Sequence, residues 1–310
     1  MKIIRQIEVF APDYLGKMDV LIAGGKILAV EEQLEGGYEG VEVEELSGEG
    51  KVLTPGFIDC HFHILGGGGE GGYQNRTPEV TLSQLTTAGV TTVVGCLGTD
   101  GEGRDMTALI SKAKGLEAEG ISTYVYEGSY RLPVKTVTDS IIKDFLTIDK
   151  IIGIGEIAVS DHRSSQPSFE EFARAAADAR VGGMLSGKAG IINVHLGGGK
   201  RKLELLTRIV EETEIPITQF LPTHANRTPE LFEACVAFAK RGGTIDFTAS
   251  EDPDFWEKTD GEVRFSKALK RLIEEDVSLD NFTMTSDGQG SLPYFDENNH
   301  FLGLGVGSAK

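Results

Sequence analysis

Residues 151–198 read IIGIGEIAVSDHRSSQPSFEEFARAAADARVGGMLSGKAGIINVHLGG, and they contain the repeating unit from which the fold is predicted. It begins and ends with short apolar runs, IIGIGEIAVS and IINVHLGG, that have the length and the β-branched residues of buried strands. The segment between them, SFEEFARAAADARVGGML, is amphipathic and opens with a serine cap. A strand, a helix and a second strand in this order predict a parallel sheet with a crossover helix.

The same alternation extends over most of the chain. Eight apolar runs are VLTPGFID, TTVVGCLG, STYVYEGS, IIGIGEIAVS, IINVHLGG, ITQFLPTH, GTIDFTAS and NFTMTSDG. Amphipathic segments such as TPEVTLSQLTTAG, DMTALISKAKGLEAEG and TPELFEACVAFAKRGG separate them. Eight strand-helix units over residues 53–310 predict an α/β fold of the (β/α)8 TIM-like barrel type. A doubly wound open sheet is the alternative architecture.

The two ends of the chain differ from this pattern. In residues 1–52, the runs IIRQIEVF, MDVLIAGGKILAVEE and VEVEEL alternate apolar and polar residues and break at glycine or aspartate. We therefore expect a small antiparallel sheet over 1–52 and the barrel over 53–310. Residues 288–310 show neither a final helix nor a strand pair to complete the N-terminal sheet. We expect either a truncated chain or a fold that closes without these parts.

Composition excludes several classes of function. The chain has 310 residues and a formal net charge of -18, which argues against nucleic-acid binding because phosphate contacts need clustered lysine and arginine. Its N-terminus lacks the apolar core of a signal peptide, and no run of 18 apolar residues exists, so we expect no membrane association. Three dispersed cysteines predict no disulfide framework and fit a reducing cytoplasm.

Polar residues collect at the carboxyl ends of the predicted barrel strands, where barrel enzymes carry their chemistry. His61 and His63 end the first strand, and at i and i+2 both side chains point the same way. Later strand ends carry Glu156, His195, His224 and Asp287. Histidine and carboxylate ligands without paired cysteines suit Zn²⁺ or a similar divalent ion. Alternatively, the two histidines are satisfied by backbone groups, or Glu156 is a structural acid beside a single metal.

Several motifs carry a resemblance to a known family. PGFIDCHFH, residues 55–63, resembles the first metal motif of the amidohydrolase superfamily. Together, GGGGEGG, RTPE, AGVTTVVGCLGTDG, SDHRSS, LPTHANR, GGTIDFTAS and SDGQGS are similar to segments of isoaspartyl (β-aspartyl) dipeptidases. The resemblance covers about residues 5–305. Hydantoinases and dihydroorotases share its His-x-His but not the GGGGE or SDHRS segments. It implies a metal-dependent hydrolase on a distorted barrel beside a small β-sandwich subdomain.

The resemblance also implies a metal centre of two zinc ions. The more buried ion would take His61, His63 and Asp287, and the second would take His195 and His224. Glu156 stands at the bridging position, where many relatives carry a carboxylated lysine, and would bridge the ions together with a hydroxide. Because glutamate is shorter than a carboxylated lysine, the backbone must come closer to the metals. Gly153 and Gly155 would permit that through a bulge.

For the reaction, the resemblance implies attack of the hydroxide on the amide carbonyl. Asp287 would carry the proton to the leaving amine, and Tyr130 would donate a hydrogen bond to the oxyanion. The substrate, a β-aspartyl dipeptide, carries one ammonium and two carboxylates. The implied substrate ligands are Glu70 for the ammonium, Arg163 and Arg227 for the carboxylates, and Thr99 and Ser291 for further hydrogen bonds.

Two other functions stay open. A cyclic amidase or dihydroorotase-like enzyme is disfavoured, because a cyclic imide needs no ammonium partner such as Glu70. A non-catalytic scaffold is disfavoured, because every ligand position is filled. We also expect a homo-oligomer, since relatives of this type form them. The residues expected to have no part in the chemistry are Cys60 and Cys96, as small core residues without a neighbouring base, and His162 and His300, as loop residues.

Overall fold

The structure, a computed structural model, describes residues 1–35, 40–259, 261–295 and 301–309. Contacts divide the chain into two compact units, Met1–Phe57 and Ile58–Lys310. In the described part of the chain, no helix combines the length and the apolar composition that crossing a membrane requires.

The N-terminal unit is a mixed sheet around one long strand. Its strands are β1 Lys2–Phe10, β2 Tyr14–Ala23, β3 Lys26–Glu31, β4 Glu44–Ser47 and β5 Val52–Leu53, in the order β3-β2-β1-β4, with β5 also on β1. β1, β2 and β3 pair antiparallel, whereas β4 and β5 run parallel to β1. The expectation of an antiparallel sheet is therefore wrong for β4 and β5. Alternation of apolar residues reports which face is buried and not the direction of the partner strand.

The second unit contains the eight strands of the barrel. They are β6 Phe57–Phe62, β7 Val90–Gly95, β8 Ser122–Glu127, β9 Ile151–Val159, β10 Ile191–Leu196, β11 Phe220–Thr223, β12 Ile245–Thr248 and β13 Phe282–Thr285. β6 to β11 are neighbours in chain order, and β12 pairs in parallel with β13. A parallel bridge from Phe62 to Gly288 connects the last strand back to the first. The barrel prediction is confirmed, because a doubly wound sheet would reverse its strand order.

Among the described residues, eight α-helices connect or follow these strands. They are α1 Leu82–Thr87, α2 Met106–Ala118, α3 Ile141–Thr147, α4 Phe169–Ser186, α5 Glu204–Glu212, α6 Pro229–Lys240, α7 Pro253–Thr259 and α8 Phe265–Glu274. In α4, Ser168 and Glu171 form a reciprocal capping box, and the helix ends at Gly187 in the left-handed conformation that glycine adopts freely. One apolar cluster of strand and helix side chains forms the core of the unit.

A hairpin follows the barrel, where the sequence predicts no strand pair. Its strands, β14 Ser291–Phe295 and β15 Phe301–Val306, pair antiparallel and form a separate two-stranded sheet. β15 reads FLGLGV. Glycines at two of its six positions weaken the apolar pattern, so the strand was difficult to recognise from the sequence.

A bulge in β9 sets the position of Glu156. Gly153 and Ile154 pair with Ile191 and Ile192, but the next partner of β10, Val194, lies opposite Ile157. One extra residue of β9 is thus accommodated opposite Asn193, as the glycines predict. Gly155 has a φ of +138°, and a Cβ there would lie 2.4 Å from the Asn193 carbonyl oxygen. Only glycine fits this position without displacing the backbone.

Gly155→Ala is therefore expected to lower the free energy of unfolding by roughly 2–4 kcal/mol, because the methyl group meets backbone and the φ is unfavourable for alanine. Denaturant unfolding measures this. The matched control is Gly115→Ala in α2, where an added Cβ has no described atom within 4 Å outside its own helix. There alanine should stabilise by up to about 1 kcal/mol. Equal stability of Gly155→Ala and the parent would contradict the steric requirement.

Candidate metal centre

Polar side chains from five barrel strands meet at the carboxyl end of the second unit. They lie on or directly after β6, β9, β10, β11 and β13. The set consists of His61, His63, Glu156, His195, His224 and Asp287, and all except Asp287 are buried. Parallel strands bring their ends together at one rim, which explains how residues more than two hundred positions apart become neighbours.

The first group surrounds the two histidines of β6. The His63 Nε2 atom lies 3.4 Å from Glu156 Oε1 and 3.1 Å from Asp287 Oδ1. His61 Nε2 lies 3.4 Å from Glu156 Oε2 and 3.5 Å from Asp287 Oδ1. Two imidazoles and two carboxylates thus face one point.

The second group shares Glu156 with the first. The His195 Nδ1 atom lies 3.0 Å from Glu156 Oε2 and 3.1 Å from His224 Nε2. His224 Nε2 lies 3.9 Å from the same carboxylate oxygen. Glu156 therefore stands between both pairs of histidines. The ligand atoms of Glu156, His195 and His224 all lie within 4.8 Å of one another.

The donor atoms fit divalent cations. Glu156 Oε1 and Asp287 Oδ1 are buried and have no hydrogen-bond partner among the described residues, which is costly for carboxylate oxygens. A cation about 2.0–2.1 Å from nitrogen and oxygen ligands would hold neighbouring ligand atoms about 3.3 Å apart in tetrahedral geometry. The nitrogen-to-oxygen distances of 3.1 to 3.5 Å around His61 and His63 agree with this value. A bound cation would satisfy both orphaned oxygens.

Partners behind three of the rings orient them toward the centre. They are Asn193 Oδ1 at 3.0 Å from His61 Nδ1, Thr248 Oγ1 at 2.7 Å from His224 Nδ1, and Asp161 Oδ2 at 3.1 Å from His195 Nε2. Each contact leaves the opposite ring nitrogen directed at the centre, as metal-binding histidines require. Burial, together with the charge of Arg227, lowers the pKa of His224 to about 3, so this ring is neutral at pH 7.

The sequence predicted none of these three partners. Asp161 lies in the SDHRSS motif, so the motif was the available signal for it. Asn193 and Thr248 occupy strand positions with no distinguishing pattern. Their contacts arise from the way the strands are placed around the barrel, which the spacing of residues along the chain does not reveal.

A cavity of ≈ 240 Å³ lies at the centre, and its lining includes the predicted residues Thr99, Tyr130, Arg163, Arg227 and Ser291 but not Glu70. The Tyr130 hydroxyl lies 2.9 Å from His195 Nδ1. Glu70 accepts hydrogen bonds from Thr99 at 2.6 Å, from Arg163 at 3.1 Å and from Ser291 at 3.4 Å. Arg163 is also held by Asp161 at 2.9 Å. Its charge is thus already shared between two carboxylates.

The surroundings of Cys96 differ from those expected from the sequence. It is buried as a core residue would be, but its Sγ lies 3.8 Å from His61 Nε2 and 3.8 Å from His63 Nδ1. The expectation that no base stands beside it is therefore wrong, because the strand ends bring the imidazoles to it. Cys60 contacts Asp246 and Thr283 instead.

Of the two histidines expected in loops, the structure describes His162, which is not part of the metal-binding groups. His162 is exposed. His300 lies outside the described residues.

Comparisons with known proteins show which proteins the chain is similar to. No family model matches the chain. A β-aspartyl dipeptidase from Fervidobacterium islandicum AW-1, solved with the dipeptide β-Asp-Leu, is 52% identical with a TM-score of 0.90, covering 99% of this chain and 78% of that one. A dihydropyrimidinase from Brevibacillus agri NCHU1002 shares the fold at 16% identity and a TM-score of 0.60, covering 93% of this chain and 68% of that one.

A curated relative matches a shorter part of the chain. The imidazolonepropionase of Chromobacterium violaceum is 32% identical over 117 residues, which are 36% of this chain. The chain spans 28% of the length of that relative.

Proposed function

Because the chain belongs to the β-aspartyl dipeptidase family of the amidohydrolase superfamily, we propose that it hydrolyses the β-aspartyl peptide bond of dipeptides in a metal-dependent reaction. The observation that carries the proposal is the position of Glu156. Its carboxylate lies between two pairs of histidines, at the floor of a cavity whose wall carries ionic side chains of both signs. A dipeptide with one ammonium and two carboxylates has the complementary charges.

We propose that two zinc ions are the cofactor. His61, His63 and Asp287 would hold the first, His195 and His224 would hold the second, and Glu156 would contact both. The chemistry that bound zinc supplies is a lowered pKa for water and polarisation of a carbonyl. Histidine nitrogens with carboxylate oxygens are the ligands that zinc prefers in catalytic sites, which supports this choice of metal.

Asp287 would act as the proton carrier. Its Oδ1 faces His63 and has no hydrogen-bond partner in the described part of the protein, so the carboxylate can accept a proton from the attacking water and pass it to the leaving amine. Tyr130 would stabilise the oxyanion. Burial, together with the nearby charge of Glu156, raises its pKa well above the usual value, so its hydroxyl stays protonated and can donate.

Glu70 would bind the substrate ammonium. Burial raises its pKa, but hydrogen bonds from Thr99 and the charge of Arg163 outweigh this, and the pKa of Glu70 lies below the usual value. It is therefore ionised at neutral pH. Thr99, Ser291 and Arg163 already orient the carboxylate.

The two arginines would bind substrate carboxylates to different extents. Arg163 has donors committed to Asp161 and Glu70, so we assign it the weaker carboxylate contact. Arg227 lines the cavity with a buried Nε that has no hydrogen-bond partner among the described residues, and we assign it the main clamp.

We further propose a cytoplasmic location and a homo-oligomeric assembly. In the described residues all three cysteines are free, which fits a reducing compartment. Size measurement in solution by light scattering tests the assembly.

The reaction is tested by comparing hydrolysis of β-Asp-Leu and α-Asp-Leu, with and without a chelator. We expect the β isomer to be cleaved at least about 100-fold faster, because the side-chain amide alone places both carboxylates within reach of the arginines. Chelation should abolish the activity, and zinc should restore it. Equal rates on the two isomers would end the specificity proposal, and a rate that resists chelation would end the metal proposal. Hydrolysis of hydantoin, measured in parallel, tests the alternative function of a cyclic amidase, and we expect none.

A further inference from the structure

We propose that Cys96 is a further ligand of the more buried metal ion, through a thiolate that joins His61, His63 and Glu156. This inference rests on the proposed metal centre and adds to it a sulfur ligand, which neither the motifs nor the family resemblance assigns. It identifies the centre as one suited to thiophilic cations such as Zn²⁺, Co²⁺ and Cd²⁺, and poorly suited to Mg²⁺ or Mn²⁺.

The Cys96 Sγ atom lies 3.8 Å from His61 Nε2, the nitrogen that faces Glu156 and Asp287. With about 2.3 Å to sulfur and about 2.0–2.1 Å to nitrogen, a tetrahedral zinc ion holds two such atoms about 3.6 Å apart. The contact of Sγ with His63 is to Nδ1, also at 3.8 Å, whereas His63 Nε2 faces the two carboxylates. Ligand atoms of His61, His63, Cys96 and Glu156 all lie within 4.8 Å of one another.

A backbone hydrogen bond places Cys96 next to the segment that carries His61 and His63. Cys96 directly follows β7, and its amide donates to the carbonyl of Phe62 at 2.9 Å, between His61 and His63 in the chain. The side chain is fully buried. Cys96 is therefore anchored to the same short segment that carries both imidazoles.

An independent observation points to a ligand at the same place. Glu156 Oε1 is buried, has no hydrogen-bond partner in the described residues and lies 3.4 Å from His63 Nε2. Cys96 packs with Val94 and Tyr126 on one side. On the other side, imidazoles, a carboxylate and a thiol with one oxygen left unsatisfied have the composition of a cation site.

The sulfur would add to the donors around the shared carboxylate of Glu156. A thiolate from the second barrel strand adds one donor and one negative charge beside Glu156. Metal binding would release the thiol proton to solvent, as thiolate ligation requires. The competing role is structural, since Sγ also lies 3.5 Å from the Phe62 carbonyl and can donate a weak hydrogen bond to it.

Cobalt substitution separates the two roles in the parent protein. The full chain is stripped with a chelator, loaded with Co²⁺ and examined by absorption spectroscopy. We expect a thiolate-to-cobalt charge-transfer band in the near ultraviolet in addition to the visible ligand-field bands. Ligand-field bands without the charge-transfer band would overturn the thiolate proposal and leave the proposed function intact. Failure to bind Co²⁺ at all would overturn both.

Cysteine variants show which cysteine gives rise to the charge-transfer band. Cys96→Ser should abolish it and raise the metal dissociation constant by about 10- to 100-fold, the range typical of residues that support metal sites. Cys235→Ser, at a fully buried cysteine in α6, should keep the band and the affinity. A band that persists in Cys96→Ser would contradict the assignment. Because the parent spectrum needs no substitution, the proposal is testable even if Cys96→Ser misfolds.

Discussion

Glu156→Gln is expected to lower kcat/KM for β-Asp-Leu by roughly 10³- to 10⁴-fold, since the metal-dependent stabilisation that it supports is worth several kcal/mol. The substitution keeps the shape of the side chain and removes its charge. Glu156 lies 3.4 Å from His61 and His63 and 3.0 Å from His195, so both groups lose their shared carboxylate. Zinc measured by elemental analysis should fall from about two ions per chain to about one or fewer.

Glu127→Gln is the matched control for this substitution. Glu127 is also a fully buried carboxyl group, at the end of the neighbouring strand β8, but it lies beside Asp144 and not beside the histidines. Burial, followed by the contact with Asp144, raises the pKa of Glu127 to about 10, so this side chain is already neutral at pH 7. The Glu127→Gln variant should therefore have the same metal content as the parent protein. Full zinc content and activity in Glu156→Gln would remove Glu156 from the centre.

The strands of the barrel could be predicted from the sequence because each buried strand appears as a short apolar run between amphipathic segments. GTIDFTAS contains β12, Ile245–Thr248, and NFTMTSDG contains β13, Phe282–Thr285. The run ITQFLPTH is only half a strand, because residues 217–219 form a 3₁₀ turn before β11. The sequence does not reveal that β4 and β5 run parallel to β1, since pairing direction depends on chain connection and not on the identity of the buried residues.

The candidate site could be predicted only where residue type and strand position coincide. His195 and Asp287 stand at strand ends, and parallel strands bring such ends to one rim. Asn193 is two residues from His195 in the chain, yet its side chain supports His61 on another strand. In the sequence, Cys96 cannot be distinguished from an ordinary small core residue. Its contact with His61 becomes visible only when the structure shows β7 next to β6. Contacts of this kind depend on the order and the register of the strands. A single sequence shows no pattern from which that order and register can be read.

Asp287→Asn is expected to lower kcat by about 10²- to 10⁴-fold with a much smaller change in KM, because the variant removes the proton acceptor and leaves the cavity intact. Asp287 follows β13 with a φ of 50°, in the left-handed region that asparagine also tolerates, so the backbone should be preserved. Its Oδ1 lies 3.1 Å from His63 Nε2, and an amide oxygen in the same place can still act as a weak ligand. Metal content should therefore fall less than in Glu156→Gln.

The control for Asp287→Asn is the same chemical change at the other end of the same strand. Asp280 precedes β13 and is exposed, so Asp280→Asn should keep kcat within about twofold and unfold at the same denaturant concentration. Steady-state kinetics, elemental analysis and circular dichroism of both variants separate the possible causes. If Asp287→Asn retains kcat within tenfold, another group carries the proton. If metal and activity disappear together, Asp287 is needed first as a ligand, and the proton-transfer role assigned to it is wrong.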